Sequence, residues 1–265
     1  MMQVGKKLRL GRIFDTKSNH TVIVAMDHGL FMGPVKGLED PSSIARKAVD
    51  GGANAVIVSL GMVKQVANEV IGKAGLILRV DGAVTAYGPD FFRTRRLASV
   101  EDASRLGADA IIAMGYVGTP TESEVLGNVG ALSRECEDFG IPLVAEMIPI
   151  QGEKIKDPYS VDVVGLAARI GAEMGADVIK THYTGSGETF REVVRGCPVP
   201  VVVAGGPKMK TEEQLLNVVR GALNAGAVGV ALGRNIWQHK NPAGITRTIV
   251  DIVHGQSGAR KKRKN

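Results

Sequence analysis

The sequence predicts a single (β/α)8 TIM barrel, and three observations carry that expectation. The chain has 265 residues, a common length for one such barrel and enough to bury a large core. Four segments open alike: GANAVIVSLG at Gly52, GADAIIAMGY at Gly107, GADVIKTHYT at Gly175 and GAVGVALGRN at Gly226. Four more apolar runs, TVIVAMDH, LILRVD, PLVAEMI and PVPVVVAGG, alternate with them. Near-continuous apolar strands joined by helices imply a parallel sheet covered on both faces. Eight such units with a near-twofold internal periodicity fit a closed barrel, with a doubly wound open sheet as the alternative.

In chain order, strands are expected at about 21–28, 55–59, 76–81, 110–116, 142–148, 177–183, 199–206 and 228–234. Each repeat glycine follows a helical pattern and precedes an apolar run, so it reads as a helix C-cap. SSIARKAVDGG leads into the second strand and SVEDASRLG into the fourth. VDVVGLAARIGAEMG leads into the sixth and EEQLLNVVRGALNAG into the eighth. Ser99 stands three before Asp102 and Thr211 three before Gln214, the spacing of a capping box. The connections after the second and third strands carry no clear helical pattern. Nothing resembles an interdomain linker, so residues 1–257 read as one barrel and 258–265 as a basic tail.

That tail, GARKKRKN, holds five of the cations behind the formal charge of +6; without them the body stands at +1. It reads as a solvated, disordered terminus, with a weak polyanion contact as the sharper alternative. Aromatics are only 4% of the chain, which argues against a base-stacking nucleic-acid platform. Cys136 and Cys197 are far apart and lack metal-ligand spacing, so no disulfide framework is implied and a reducing cytoplasm fits. No stretch has the length of a membrane span or the apolar core of a signal peptide. The expectation is a soluble, cytoplasmic protein with no membrane or nucleic-acid partner.

In a barrel the active site lies at the C-terminal ends of the strands. The first strand ends in Asp27 and His28, and the third in Arg79 and Asp81. The fifth offers Glu146 and the sixth Lys180 and His182. The seventh offers Ala204, Gly205 and Gly206, and the eighth Gly233 and Arg234. The repeat supplies an internal control for Lys180. Five residues after each repeat glycine stand Ile57, Ile112, Lys180 and Ala231, so the position accepts an apolar side chain. The plain reading is a lysine paired with Asp27 or Glu146. The chemical reading is an amine desolvated by the barrel walls, able to attack a carbonyl and form a Schiff base. A neighbouring acid/base must then move a proton on the substrate, and Asp27 is the candidate; its plain reading is a turn or cap residue. His28 reads as a structural or supporting residue. His28, His182 and a carboxylate lack any metal-site signature, so no metal and no cofactor are expected. AGGPK after the seventh strand and LGRN after the eighth fit a phosphate cradle of backbone N–H groups and Arg234; plain βα turns are the alternative. The implied substrate is a small phosphorylated carbonyl compound.

MDHG, IKTHYTG, CPVPVVVAGGPK and GRNIWQ resemble the archaeal-type class I fructose-bisphosphate aldolase family. That family includes 2-amino-3,7-dideoxy-D-threo-hept-6-ulosonate synthase and the autoinducer-2 phosphate thiolase. The likeness runs from about Leu10 to His254. It implies a (β/α)8 barrel, a homo-oligomer that in the family is often a decamer, and a lyase reaction on a phosphorylated ketose. It assigns Lys180 as the Schiff-base lysine, Asp27 as the acid/base, and Gly205, Gly206, Gly233 and Arg234 as phosphate contacts. TVIVAMDHG, GPVKGL, GGANAV and GITR look closest to the heptulosonate synthase branch.

One position departs from the family. The aldolase and the synthase carry a catalytic tyrosine before a proline at the end of the fifth strand, whereas here Ile148 precedes Pro149. Two residues earlier, on the same strand face, stands Glu146. It either takes over proton transfer, with a pKa raised by burial, or pairs with Lys180 or Arg79. The thiolase branch also lacks that tyrosine, so a C–C lyase or acyl-transfer reaction on another phosphorylated ketone stays open; a barrel that keeps the phosphate site but lost catalysis with the tyrosine is a further alternative. Arg79 and Asp81 stand where relatives tend to be uncharged, which points to a different substrate end being read there.

Overall fold

The computed structural model describes residues 3–255. The expected basic tail, 258–265, lies outside the described residues. Eight parallel strands close into a barrel in the order 1-8-7-6-5-4-3-2, which excludes the open sheet. They span Thr21–Ala25, Ala55–Ser59, Gly75–Arg79, Ala110–Val117, Leu143–Pro149, Val178–Thr181, Val201–Ala204 and Gly229–Leu232. Among the described residues, no helix is long and apolar enough to cross a membrane.

The four repeat glycines end four helices in the same way. Each has positive φ, from 72° at Gly107 to 102° at Gly226. In every case the alanine that follows donates its N–H to the carbonyl five residues back: Ala53 to Ala48, Ala108 to Ala103, Ala176 to Gly171 and Ala227 to Ala222. This is the Schellman closure, which glycine allows without strain. The helices at Val100–Arg105 and Glu212–Asn224 both begin with the expected capping box. The unclear connections resolve differently. After the second strand a short 3-10 turn runs into helix Val63–Val70. After the third, a small hairpin pairs Asp81–Gly82 with Arg95–Arg96 before the helix at 100–105.

Side chains pointing into the barrel stack in layers contributed by alternate strands. The register places Ala55, Ala110, Val178 and Gly229 lowest, then Ile23, Ile77, Val144 and Val202. Ile57, Ile112, Lys180 and Ala231 follow, and above them Ala25, Arg79, Glu146 and Ala204. The bottom is closed by the N-terminal helix Val4–Ile13, which delivers Ile13 into the inner apolar cluster. Lys6 on that helix is buried and ion-paired to Asp177 at 2.9 Å and to Glu137. A second, larger apolar core fills the space between the barrel and its helices.

Several strands end earlier than expected. The first stops at Ala25, the sixth at Thr181, the seventh at Ala204 and the eighth at Leu232. Asp27, His28, His182, Gly205, Gly206 and Gly233 therefore sit in the turns just above the ladder, and Arg234 opens the short helix Arg234–Trp237.

Candidate active site

The upper end of the barrel holds a cavity of about 350 Å³. Asp27, His28, Glu146, Lys180, His182, Ala204, Gly205, Gly206, Gly233 and Arg234 all line it. They come from five strand ends, the first, fifth, sixth, seventh and eighth, or the turns after them, so closure of the sheet brings them together.

Lys180 is 4% exposed, and its Nζ lies 2.6 Å from Glu146 Oε1. Glu146 neighbours Lys180 directly across the fifth and sixth strands. Its other oxygen accepts from Arg79 Nη2. Arg79, with a side chain only 1% exposed, is the hub of the site. Its Nε donates to Asp27 Oδ2 at 2.8 Å and its Nη1 to Asp81 Oδ1 at 3.2 Å. Asp81 also accepts from the Met114 backbone N–H at 3.0 Å, and it is wholly buried behind the cavity lining. Arg79 and Asp81 are thus spent on one another and on the carboxylates, and no charge is left free there to read a substrate end.

Burial alone would push these carboxyls up. For Asp27 the cations win: Arg79, then Lys180, hold it down at about 2. Glu146 goes the same way, since Lys180 and Arg79 outweigh its burial and pull it below the ordinary carboxylate value. Of the two readings of Glu146, the structure selects pairing, with both Lys180 and Arg79, and not a pKa raised by burial. Asp81 behaves oppositely, its complete burial lifting it above the usual value despite Arg79. Burial lowers the pKa of both His28 and His182, which keeps each imidazole neutral near pH 7.

The loops after the seventh and eighth strands are tied together by Asn235. Its Nδ2 donates to the carbonyls of Gly205 at 3.0 Å and Pro207 at 3.1 Å, and its Oδ1 accepts from Met209 N–H at 2.8 Å. Gly233 is required by packing: a Cβ there would meet His28 Cε1 at 2.6 Å. His28 in turn lies edge-on to Trp237, with ring centroids 5.3 Å apart, and its Nδ1 is 3.6 Å from Asp27 Oδ1. Arg234 Nε and His28 Nδ1 are buried without a hydrogen-bond partner. Both stand beside the glycine loops.

Sequence reasoning missed the opposite wall. Phe91 and Phe92 come from the hairpin connection after the third strand, and Met114 and Tyr116 from the fourth strand. Tyr116 sits directly opposite Ile148 across the fourth and fifth strands. Burial, then Glu146, raises the Tyr116 pKa, so its phenol stays neutral. The alternation Met114–Tyr116 was available as a signal, but the pairing with Ile148 is a tertiary fact.

Known proteins share this chain's family and fold. Residues 21–239 match the model of the DeoC/LacD family aldolase. The chain is 40% identical over 252 residues to 2-amino-3,7-dideoxy-D-threo-hept-6-ulosonate synthase 1 of Archaeoglobus fulgidus, covering 95% of this chain and 92% of that one. It is 36% identical over 250 residues to the class 1 fructose-bisphosphate aldolase of Thermoproteus tenax, covering 92% and 93%. Among solved structures, a Schiff base forming fructose-1,6-bisphosphate aldolase superposes with a TM-score of 0.85 at 35% identity, over 94% of this chain and 99% of that one.

Proposed function

The chain belongs to the DeoC/LacD aldolase family, and from that premise we propose that it is a Schiff-base-forming aldolase cleaving a phosphorylated ketose, in the manner of class 1 fructose-bisphosphate aldolase. One observation carries the assignment of residues. In a layer otherwise made of Ile57, Ile112 and Ala231, Lys180 puts an amine 2.6 Å from a carboxylate at the floor of the cavity.

Glu146 accepts a proton from Lys180 Nζ, and the freed amine attacks the substrate carbonyl. Water leaves the carbinolamine and an iminium forms. The C–C bond beyond the adjacent carbon then breaks, its electron pair flowing into the iminium to give an enamine. The hydroxyl proton of the departing half passes to a base, and Asp27, ionised down to about pH 2, is suited to take it. The half leaves as an aldehyde. Protonation of the enamine and hydrolysis of the imine release a phosphorylated ketone and restore the amine. Backbone N–H groups of Gly206 and Gly233, with Arg234, hold the phosphate; Gly205, whose own N–H is donated to the Ala231 carbonyl at 3.2 Å, lets it approach the backbone closely. His28 and His182, as neutral imidazoles, are suited to hydrogen-bond substrate oxygens. Arg79 keeps two carboxylates ionised inside a low-dielectric barrel.

Sodium borohydride added with substrate is expected to trap an adduct on Lys180, read by mass spectrometry of the peptide. Trapping that persists in Lys180→Ala would sink the assignment. A second reading rests on the 40% identity to the heptulosonate synthase: a transaldolase that passes the enamine to a second carbonyl. Product analysis with aspartate semialdehyde and a ketose phosphate separates the two. A homo-oligomer working in the cytoplasm, with residues 1–257 as one domain, belongs to the same proposal; light scattering of the purified chain checks the first part.

A further inference from the structure

The two ends of the cavity are chemically opposite. At one end stand the glycine loops after the seventh and eighth strands, with Arg234 and its unpartnered Nε. Across the barrel, the third to fifth strands and the hairpin connection contribute Phe91, Phe92, Met114, Tyr116, Ile148 and Ile150. These residues form a surface of their own. Met114, Tyr116 and Ile148 make a buried cluster apart from the two main cores, with Phe92 and Ile150 packed on it. The rings run on edge to face, from Tyr116 to Phe92 at 5.1 Å and from Phe92 to Phe91 at 5.4 Å. Phe31 extends the row at 6.2 Å from Phe91.

No free cation faces this wall among the cavity-lining residues. Arg79 is enclosed by Asp27, Asp81 and Glu146, and Lys180 is paired and reserved for the carbonyl. The neighbouring Arg93 and Arg95 are not among the lining residues; Arg93 is paired with Asp90 at 3.3 Å and Glu124 at 3.5 Å, and Arg95 with Glu124 at 3.2 Å. A second phosphate at this end would be desolvated against aromatic rings with no counter-charge, which is strongly unfavourable. An apolar group would instead be stabilised by leaving water against these rings.

Resting on the imine reading above, we infer that the substrate is phosphorylated at one end only, and that the aldehyde half released against Phe91, Phe92, Tyr116 and Ile148 is uncharged and largely apolar. The phosphate belongs to the ketone half, between the glycine loops and Lys180. The Tyr116 hydroxyl is the wall's one neutral polar group, suited to a single carbonyl or hydroxyl oxygen.

The test runs the wild-type enzyme in the synthetic direction. Dihydroxyacetone phosphate is the donor, and propanal, phenylacetaldehyde and glyceraldehyde 3-phosphate are competing acceptors. The expected result is a kcat/KM at least tenfold higher for an apolar acceptor than for glyceraldehyde 3-phosphate. Phe92→Arg is expected to narrow that ratio by tenfold or more. A wild-type preference for glyceraldehyde 3-phosphate would overturn the inference while leaving the imine intact. No borohydride adduct on Lys180 with dihydroxyacetone phosphate would remove the imine reading, and this inference with it.

Discussion

Low in the barrel, four alternate strands point Ile23, Ile77, Val144 and Val202 inward; two residues further along, the same strands present Ala25, Arg79, Glu146 and Ala204. The backbone is the same and the chemistry changes within one pleat. The lower layers are apolar contact throughout, closed beneath by Ile13. The upper layers hold an arginine, a lysine and three carboxylates with little access to water. Taking such charges out of water costs several kcal/mol per ion, and pairing recovers that only when the geometry is good. The lower half therefore supplies stability, and the upper half spends it to hold reactive groups.

Changes that make the upper half resemble the lower one sharpen this contrast, and the largest effect is expected at Lys180. Lys180→Met keeps an unbranched stem in the layer of Ile57 and Ile112 but removes the nucleophile. Turnover should fall on the order of 10⁴-fold or more, followed in a single-turnover assay. Asp27→Asn keeps the shape and removes the base, lowering kcat by roughly 10² to 10⁴; borohydride trapping on Lys180 should survive it.

Arg79→Met acts on the fold instead. It strands Asp27, Asp81 and Glu146 without their cation, and denaturant unfolding should report a loss of about 3–5 kcal/mol. If that variant proves as stable as the wild type, the upper half is not the costly region proposed here. In the lower half, Ile77→Val removes one methylene from the apolar layers below the cavity and should cost about 0.5–1.5 kcal/mol, with kcat unchanged.

Acid separates the halves by slope. Asp27 has its pKa depressed from 3.8 to about 2, so its stabilisation is complete above the unfolded value and is lost as pH falls through that interval. Glu146, also depressed, acts with the same sign. Acid unfolding of Asp27→Asn should lose part of this dependence. Ile77→Val should lower the whole curve without altering its slope.

Much of this was legible in the chain itself. The repeat glycines, the apolar runs and two capping boxes are local signals, and they located eight strands to within a few residues. The strand ends were overextended because the chain runs on past the last ladder pair into rim residues, Asp27, His28, His182, Gly205, Gly206, Gly233 and Arg234, before it turns. The N-terminal helix left no clear signal, since what fixes Lys6 is Asp177 and Glu137, both distant in sequence. Glu146 was located with two readings left open, and the choice of pairing over a raised pKa needs the closed sheet, because Arg79 approaches it from two strands away. Ile148 directed attention along its own strand, while its neighbour Tyr116 lies across the ladder. Pairings between strands need the closed sheet, and the aromatic wall is made of such pairings.

The glycine-to-alanine helix stops at Gly52, Gly107, Gly175 and Gly226 also act as a height datum. Each fixes where its strand leaves the helix layer, so the fifth residue beyond always arrives at one level on the inward side. Alternation along a strand makes that setting all-or-none. One residue inserted between Gly175 and Lys180 would turn the amine toward the surrounding helices and bring Ile179 inward, leaving a well-filled barrel with nothing to bind a carbonyl.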